Sequence, residues 1–188
     1  MIKSTAHSPQ YIVFLFSILF VVSSCQHNGY RDAVKNPSPY FTNFFTGNEE
    51  TVLRDVNFNC TQDELKKTEK SRLYESTADH LFYEFSYPTD STAFSEYTNV
   101  QYFFNEDNQL DIITADIFLN DSLQENQLTN NLNEFYNLRF GSPETDDYEH
   151  NVWKGSFKDA KSEKKYNYTV ALKELTGDYG VSVEYVRE

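Results

Sequence analysis

The chain has 188 residues, enough for one domain or two small ones and too few for a large multidomain enzyme. Acidic residues outnumber basic ones by 29 to 16, giving a net charge of −13. This excess argues against nucleic-acid partners, because phosphates must be neutralised by basic groups. The 14 tyrosines and 16 phenylalanines predict a folded chain, since disordered acidic chains contain few aromatic residues.

The amino-terminal segment has the features of an export signal. Lys3 precedes an apolar run over residues 11–22, which is shorter than the roughly 20 residues that span a bilayer. A basic start, a short apolar core and small residues behind it are typical of a signal peptide. We therefore expect residues 1–24 to be a signal peptide; an uncleaved anchor is the alternative.

The end of this segment, Val22-Ser23-Ser24-Cys25, resembles the lipobox of bacterial lipoproteins. The resemblance implies a diacylglyceryl group on the Cys25 sulfur, with cleavage before this residue, and a second or third acyl chain makes such an anchor stable. Gln26 stands where enterobacterial lipoproteins retained in the inner membrane have aspartate, so the resemblance favours the outer membrane. An ordinary secretory signal with an incidental cysteine is the alternative.

Residues 25–50 are polar and rich in turn-forming residues, without a regular period, so we expect a flexible tether here. An aromatic cluster over 40–45 interrupts the segment. Such a cluster more often folds back onto the domain, and less often forms an exposed strip that binds a partner. The globular domain is expected over residues 51–188.

Two helix starts can be read from the sequence. Thr61 and Glu64 fit a capping box, and Cys60 precedes it where a packing residue is usual, so we expect a structural cysteine. A second box is expected at Ser122, with the helix ending at Gly141.

Alternating apolar residues predict four strands after the first helix and three after the second. The strand-like runs cover residues 72–76, 81–87, 100–104, 113–119, 152–157, 166–172 and 181–185.

This order of elements predicts an α+β fold. Short polar turns between consecutive strands imply an antiparallel sheet, with two helices covering one face. The two helix starts lie about sixty residues apart, which suggests a tandem helix-plus-meander repeat with halves 55–119 and 120–188. The order resembles the tandem units of the β-lactamase inhibitory protein and of small outer-membrane assembly lipoproteins. The resemblance includes no residue motif and implies no functional residues.

No residue pattern in the sequence predicts catalysis, a cofactor or a metal. His80 and His150 stand in no motif, and we expect both to be ordinary surface or edge residues. Cysteines and histidines do not cluster at zinc-binding spacing. The acidic turns at 106–107 and 144–147 lack the spacing of a calcium-binding loop, so solvated acids are expected there.

The surplus of aromatic residues is the remaining functional indication. Phe82, Phe103 and Phe118 alternate with the predicted core positions of their strands. If that face of the sheet is open, they form an apolar patch of the kind that often marks an interface. The alternatives are that the rings cover one another or a neighbouring strand, or that the assigned register is wrong by one residue.

These patterns favour a binding protein of the cell envelope without catalytic activity. We expect the membrane to be engaged through lipid on Cys25, and another envelope protein to be the partner of the sheet face. The alternative is an envelope hydrolase, or a glycan-binding accessory, that uses acidic residues the sequence does not single out.

Replacement of the lipobox cysteine tests the anchor. A Cys25→Ala protein is expected to lose labelling by a fatty-acid probe and to leave the membrane fraction, because no thiol remains to be acylated. Cys60→Ala is the matched control and should keep both properties. Labelling that persists in Cys25→Ala would refute the lipoprotein assignment.

Overall fold

The computed structural model describes residues 29–87, 96–159 and 162–188. Within these ranges the chain forms four helices and eight strands. In chain order they are α1 (Gly29–Ala33), α2 (Pro39–Phe44), α3 (Gln62–Thr68), β1 (Arg72–Ser76), β2 (His80–Ser86), β3 (Tyr97–Phe104), β4 (Leu110–Phe118), α4 (Ser122–Phe140), β5 (Glu144–Thr145), β6 (Asn151–Lys158), β7 (Lys165–Glu174) and β8 (Gly180–Arg187).

The strands of the described residues form one antiparallel sheet in the order β1-β2-β3-β4-β8-β7-β6-β5. Residues 55–119 contain α3 followed by the meander β1 to β4, and residues 120–188 contain α4 followed by β5 to β8. The last strands of the two meanders, β4 and β8, pair at the centre. The predicted α+β class is therefore confirmed.

One face of the sheet carries the core. Alternate side chains of β2, β3, β4 and β8 are buried on that face, together with side chains of α2, α3 and α4. Tyrosines are prominent there, and these hydroxyls form hydrogen bonds: Tyr102 donates to Glu69, and the Tyr136 hydroxyl bonds that of Tyr185. Satisfying these hydroxyls removes the penalty for burying a polar atom.

The expected tether is wrong for the part that the structure describes, residues 29–50. This stretch forms α1 and α2, and Phe41 and Phe44 are fully buried. Asn131 of α4 holds it in place by accepting from the Ser38 backbone N–H and donating to the Lys35 carbonyl. The aromatic cluster folds back onto the domain because its rings supply core area that the polar residues around it do not.

The first helix start is confirmed in detail. The Thr61 hydroxyl accepts from the Glu64 N–H, and the Glu64 carboxylate accepts from the Thr61 N–H at 3.0 Å. Cys60 packs against the core, where burial, followed by the charge of Glu64, raises the pKa of its thiol to about 11. Such a thiol stays protonated at neutral pH, which is the behaviour of a structural cysteine.

The second helix start is one residue earlier than predicted. Asp121, rather than Ser122, is the N-cap and accepts from the Gln124 N–H at 2.9 Å. Glu125 is consequently not part of a capping box, and its carboxylate accepts from the backbone N–H of Gly180 instead. The predicted end is correct, because Gly141 follows the last helical residue with a φ of 88°.

A buried cation joins the amino-terminal segment to the first half of the sheet. The Arg54 guanidinium lies 4.9 Å from the Phe44 ring centre and 4.8 Å from that of Phe85. It also pairs with Glu69 at 3.3 Å. Burial raises the pKa of Glu69, but the charge of Arg54 and hydrogen bonds from Ser71 and Tyr102 outweigh burial, so its pKa is lowered.

Loss of the α3 cap should destabilise the fold. Thr61→Ala removes the oxygen that accepts from Glu64 and should lower the free energy of unfolding by about 1 kcal/mol. Chemical denaturation measures this loss. Thr61→Ser keeps the hydroxyl and should change stability by only about a few tenths of a kcal/mol. Equal stability of the alanine variant and the native protein would contradict the capping role.

The buried ion pair should give the fold an acid-sensitive component. A carboxyl whose pKa is lower in the folded chain stabilises above its unfolded value, and this stabilisation disappears as pH falls through the folded value. Glu69→Gln should therefore cost about 3 kcal/mol at neutral pH and flatten the loss of stability in acid.

Denaturant unfolding over a range of pH measures both effects. The matched control is Glu84→Gln, which removes a half-buried carboxylate 4.0 Å from the well-exposed Arg72 guanidinium. It should change stability by about 0.5 kcal/mol or less. Parallel pH profiles for Glu69→Gln and the native protein would contradict the assigned role of Glu69.

Candidate functional site: the open face of the sheet

The face of the sheet opposite the core carries the three phenylalanines singled out from the sequence. Phe82 of β2 is opposite Gln101, Phe103 of β3 is opposite Ile112, and Phe118 of β4 is opposite Tyr97. Each of these phenylalanines is half-buried, whereas their strand neighbours on the core face are buried. We call the surface that contains the three side chains the open face.

The structure brings two of these rings together and separates the third. Phe82 and Phe103 occupy diagonal positions of adjacent strands, which are about 7–8 Å apart in an antiparallel pair. Phe118 is opposite Tyr97, six residues along β3 from Phe103, which corresponds to about 20 Å. The three rings therefore do not form a single patch.

Each of the three phenylalanine rings also contacts a neighbouring ring, and two of these pairs are stacked. His80 lies on Phe103 at a centroid distance of 4.7 Å, and Tyr97 lies on Phe118 at 4.7 Å. Tyr74, on the edge strand, lies 5.2 Å from Phe82 and is 63% exposed. Neighbouring rings therefore cover part of each phenylalanine, as one of the alternatives expected. Each ring is nevertheless only half-buried, so the rest of its surface is accessible.

An apolar row continues from these rings across the centre of the sheet. The register places Phe103 beside Ile112, and Ile112 beside Val186 of β8. All three are half-buried on the open face. Together with one ring from β1 and one from β2 they form what we call the apolar patch: Tyr74, Phe82, Phe103, Ile112 and Val186.

Polar and charged side chains surround the apolar patch. Ser182 donates to Asp116 at 2.6 Å, and Lys173 pairs with Glu184 at 2.7 Å. Gln101 lies within the patch and approaches the His80 ring nitrogen at 3.2 Å. An apolar centre with a polar rim is the usual anatomy of a protein–protein interface.

The two histidines that the hydrolase alternative would bring together lie far apart. His80 begins β2, whereas His150 precedes β6, and four other strands separate β2 from β6. At about 4.8 Å between neighbouring strands, the separation is more than 20 Å. His150 bonds Asp146 at 3.0 Å. Over the described ranges, no three acidic, histidine or cysteine side chains gather as metal ligands would.

The sequence reasoning missed three members of the apolar patch. Ile112 and Val186 could have been found, because each alternates with core residues of its strand exactly as Phe103 does. Tyr74 could not, because a bulge between Leu73 and Glu75 shifts the register and places its ring on Phe82. Only the tertiary structure reveals that irregularity.

The proposed lipidation site, Cys25, and the expected signal peptide, residues 1–24, lie outside the described residues. Among the helices in the described part of the chain, none combines the length and apolar character needed to cross a bilayer. The chain matches no protein-family model, and no curated protein or solved structure is significantly similar to it. The resemblance in element order therefore stays a prediction.

Proposed function

We propose that this protein is a lipid-anchored binding protein of the cell envelope, held on the outer membrane through Cys25, which contacts another envelope protein and performs no catalysis. The apolar patch on the open face carries the proposal. Aromatic side chains are half-exposed or exposed there beside two aliphatic ones on paired strands, and aromatic side chains are enriched in protein interfaces.

The rigidity of the open face supports binding without rearrangement. Five strands, β1 to β4 and β8, present the patch, and each of them pairs with its neighbours over several residues. Rings stacked on a paired strand have lost most of their rotational freedom before a partner arrives. Binding to such a preformed surface therefore costs little additional conformational entropy.

The short distance between lipid and domain also bears on the function. Three residues lie between Cys25 and Gly29, the first residue of α1, so four residue-to-residue steps join the two. A chain spans at most about 3.5 Å per residue, so a lipid on Cys25 would hold α1 within about 14 Å of the anchor. Such a domain would meet partners in or beside the membrane rather than sample distant ones.

Site-specific photo-crosslinking in living cells tests the binding surface. A photoreactive residue at Gln101 or Asn99, on the open face, should yield one discrete crosslinked partner. The same residue at Leu123 or Leu138, exposed on α4, is the control and should yield none. Crosslinks that arise only from the α4 positions would contradict the proposed surface.

Substitution within the patch then measures its contribution to affinity. Phe103→Ser should weaken binding of the crosslinked partner at least tenfold, because central aromatic residues of an interface contribute about 1–2 kcal/mol or more. Leu123→Ser removes an exposed apolar side chain from the opposite side and should leave affinity unchanged. Thermal unfolding of both variants separates a binding effect from a loss of fold.

A further inference from the structure

The outer edge of β6 is largely vacant. Strand β6 has eight residues, and β7 pairs with all of them on one side. On the other side β5 pairs with only two, Asn151 and Val152. In the part of the chain that the structure describes, no further strand lies against residues 153–158.

The chain itself explains why this edge stays open. Strand β5 begins at Glu144, directly after Pro143, and α4 ends only three residues before Pro143. Proline has no backbone N–H to donate to a sheet, so β5 does not extend towards its amino terminus. In the first half, by contrast, β1 pairs with four residues of β2. The second half therefore lacks most of its first strand.

The hydrogen-bond pattern identifies which backbone groups face the vacancy. Asp159 donates to Lys164 across the β6–β7 hairpin, and Asp146 donates to His150 on the β5 side. Hydrogen-bonded pairs alternate along an antiparallel ladder. The odd-numbered residues of β6 therefore bond β7, and the N–H and C=O groups of Lys154, Ser156 and Lys158 point outward.

The side chains beside these groups favour an acidic occupant. Lys154 and Lys158 are exposed on the open face, and Lys165 lies opposite Lys158. An acidic side chain already contacts one of these lysines: the Glu144 carboxylate of β5 bonds the Lys154 ammonium at 2.7 Å. No strand places an equivalent carboxylate beside Lys158 within the described ranges.

A cleft of about 630 Å³ leaves room along this edge. Its lining combines Lys154, Gly155 and Ser156 of β6 and Arg139 and Phe140 from the carboxyl end of α4 with the carboxylates of Glu49, Glu50 and Glu188. Gly155 has no side chain because the Tyr168 ring packs directly over it, where a Cβ would approach to 2.5 Å.

The opposite edge of the sheet does not offer the same surface. Strand β1 is only five residues long and contains a bulge between Leu73 and Glu75. Bulges disrupt the regular ladder and protect edges against strand addition. The register between β6 and β7 has no such shift over its eight pairs, so the β6 edge is regular.

A second copy of the chain fits this edge poorly. Antiparallel pairing of two β6 edges centred on Ser156 would place Lys154 of each copy directly opposite Lys158 of the other. Like charges at opposed positions destabilise a strand pair. The lysines select a partner of opposite charge instead.

We propose that the β6 edge from Lys154 to Lys158 binds an extended segment of a partner protein as an added strand, with acidic side chains at alternate positions next to the two lysines. Backbone hydrogen bonds to Lys154, Ser156 and Lys158 would supply affinity, and the lysines would supply specificity. This site lies on a strand that contributes nothing to the apolar patch.

A defined peptide tests the proposal on the folded protein. The probe is a fluorescein-labelled, terminally blocked peptide of seven residues in which threonine and glutamate alternate. It should bind saturably, whereas the same peptide with lysine in place of glutamate should bind at least tenfold more weakly. Failure of the acidic peptide to bind, or equal binding of both peptides, would overturn the proposal.

Proline at the edge separates strand addition from simple charge attraction. Ser156→Pro removes an outward N–H that β7 does not use, so the fold should persist while peptide affinity drops at least tenfold. Ser156→Ala keeps the N–H and should bind as the native protein does. Native-like affinity of Ser156→Pro would exclude the added strand and leave only attraction between charges.

Amide hydrogen exchange on the native protein provides a measurement that needs no variant. Bound peptide should slow exchange at the outward N–H groups of Lys154, Ser156 and Lys158, and unchanged exchange at these amides would overturn the proposal. Phe103→Ser should bind the peptide as the native protein does. A failure of the β6 site is thereby distinguishable from a failure of the proposed open-face function.

Discussion

The helices α2, α3 and α4 contribute their buried residues to the core on one face of the eight-stranded sheet, and this one-sided cover decides what each strand residue can be. Alternate side chains must be apolar to fill the core, and the others meet solvent. Tyrosines satisfy the first requirement because their hydroxyls find partners such as Glu69 or one another. The side chains that meet solvent could all have been polar, so half-exposed rings such as Phe103 are unexpected on that face.

Residues 29–50, which follow the proposed lipidation site, form part of the core. Phe41 and Phe44 are fully buried, and Arg54 lies between Phe44 and Phe85 while it pairs with Glu69. A segment that is held in this way is a structural part of the domain. If Cys25 carries lipid, the domain is therefore close to the bilayer, and its two candidate binding surfaces would act there.

The two surfaces differ in the physics of recognition. The apolar patch offers area for the hydrophobic effect and suits a shaped partner surface. The edge of β6 offers unpaired backbone groups and lysines, and suits an extended acidic chain. Both arise from the doubled meander: the central strands β4 and β8 carry part of the patch, whereas the shortened β5 leaves the edge free.

Local sequence patterns predicted much of the fold. The cap of Thr61 and Glu64, the helix end at Gly141 and the alternation of strand residues depend on neighbours within a few positions. The cap at Asp121 was missed by one residue because Asp and Ser are comparable capping residues, and the choice depends on the distant Gly180 N–H that engages Glu125. The packing of residues 29–50 was missed for a similar reason, since Asn131, about a hundred positions away in sequence, holds that segment.

Composition and short-range spacing by themselves determined the α+β class, the order of elements from residue 61 onward except for the two-residue strand β5, and the face on which Phe82, Phe103 and Phe118 lie. The tertiary structure alone decided that β4 pairs with β8, that the bulge in β1 brings Tyr74 to the patch, and that β6 keeps an open edge. The physical reason is range. Caps and alternation are set by neighbouring residues, whereas strand order and edge occupancy depend on which distant segments meet when the core closes.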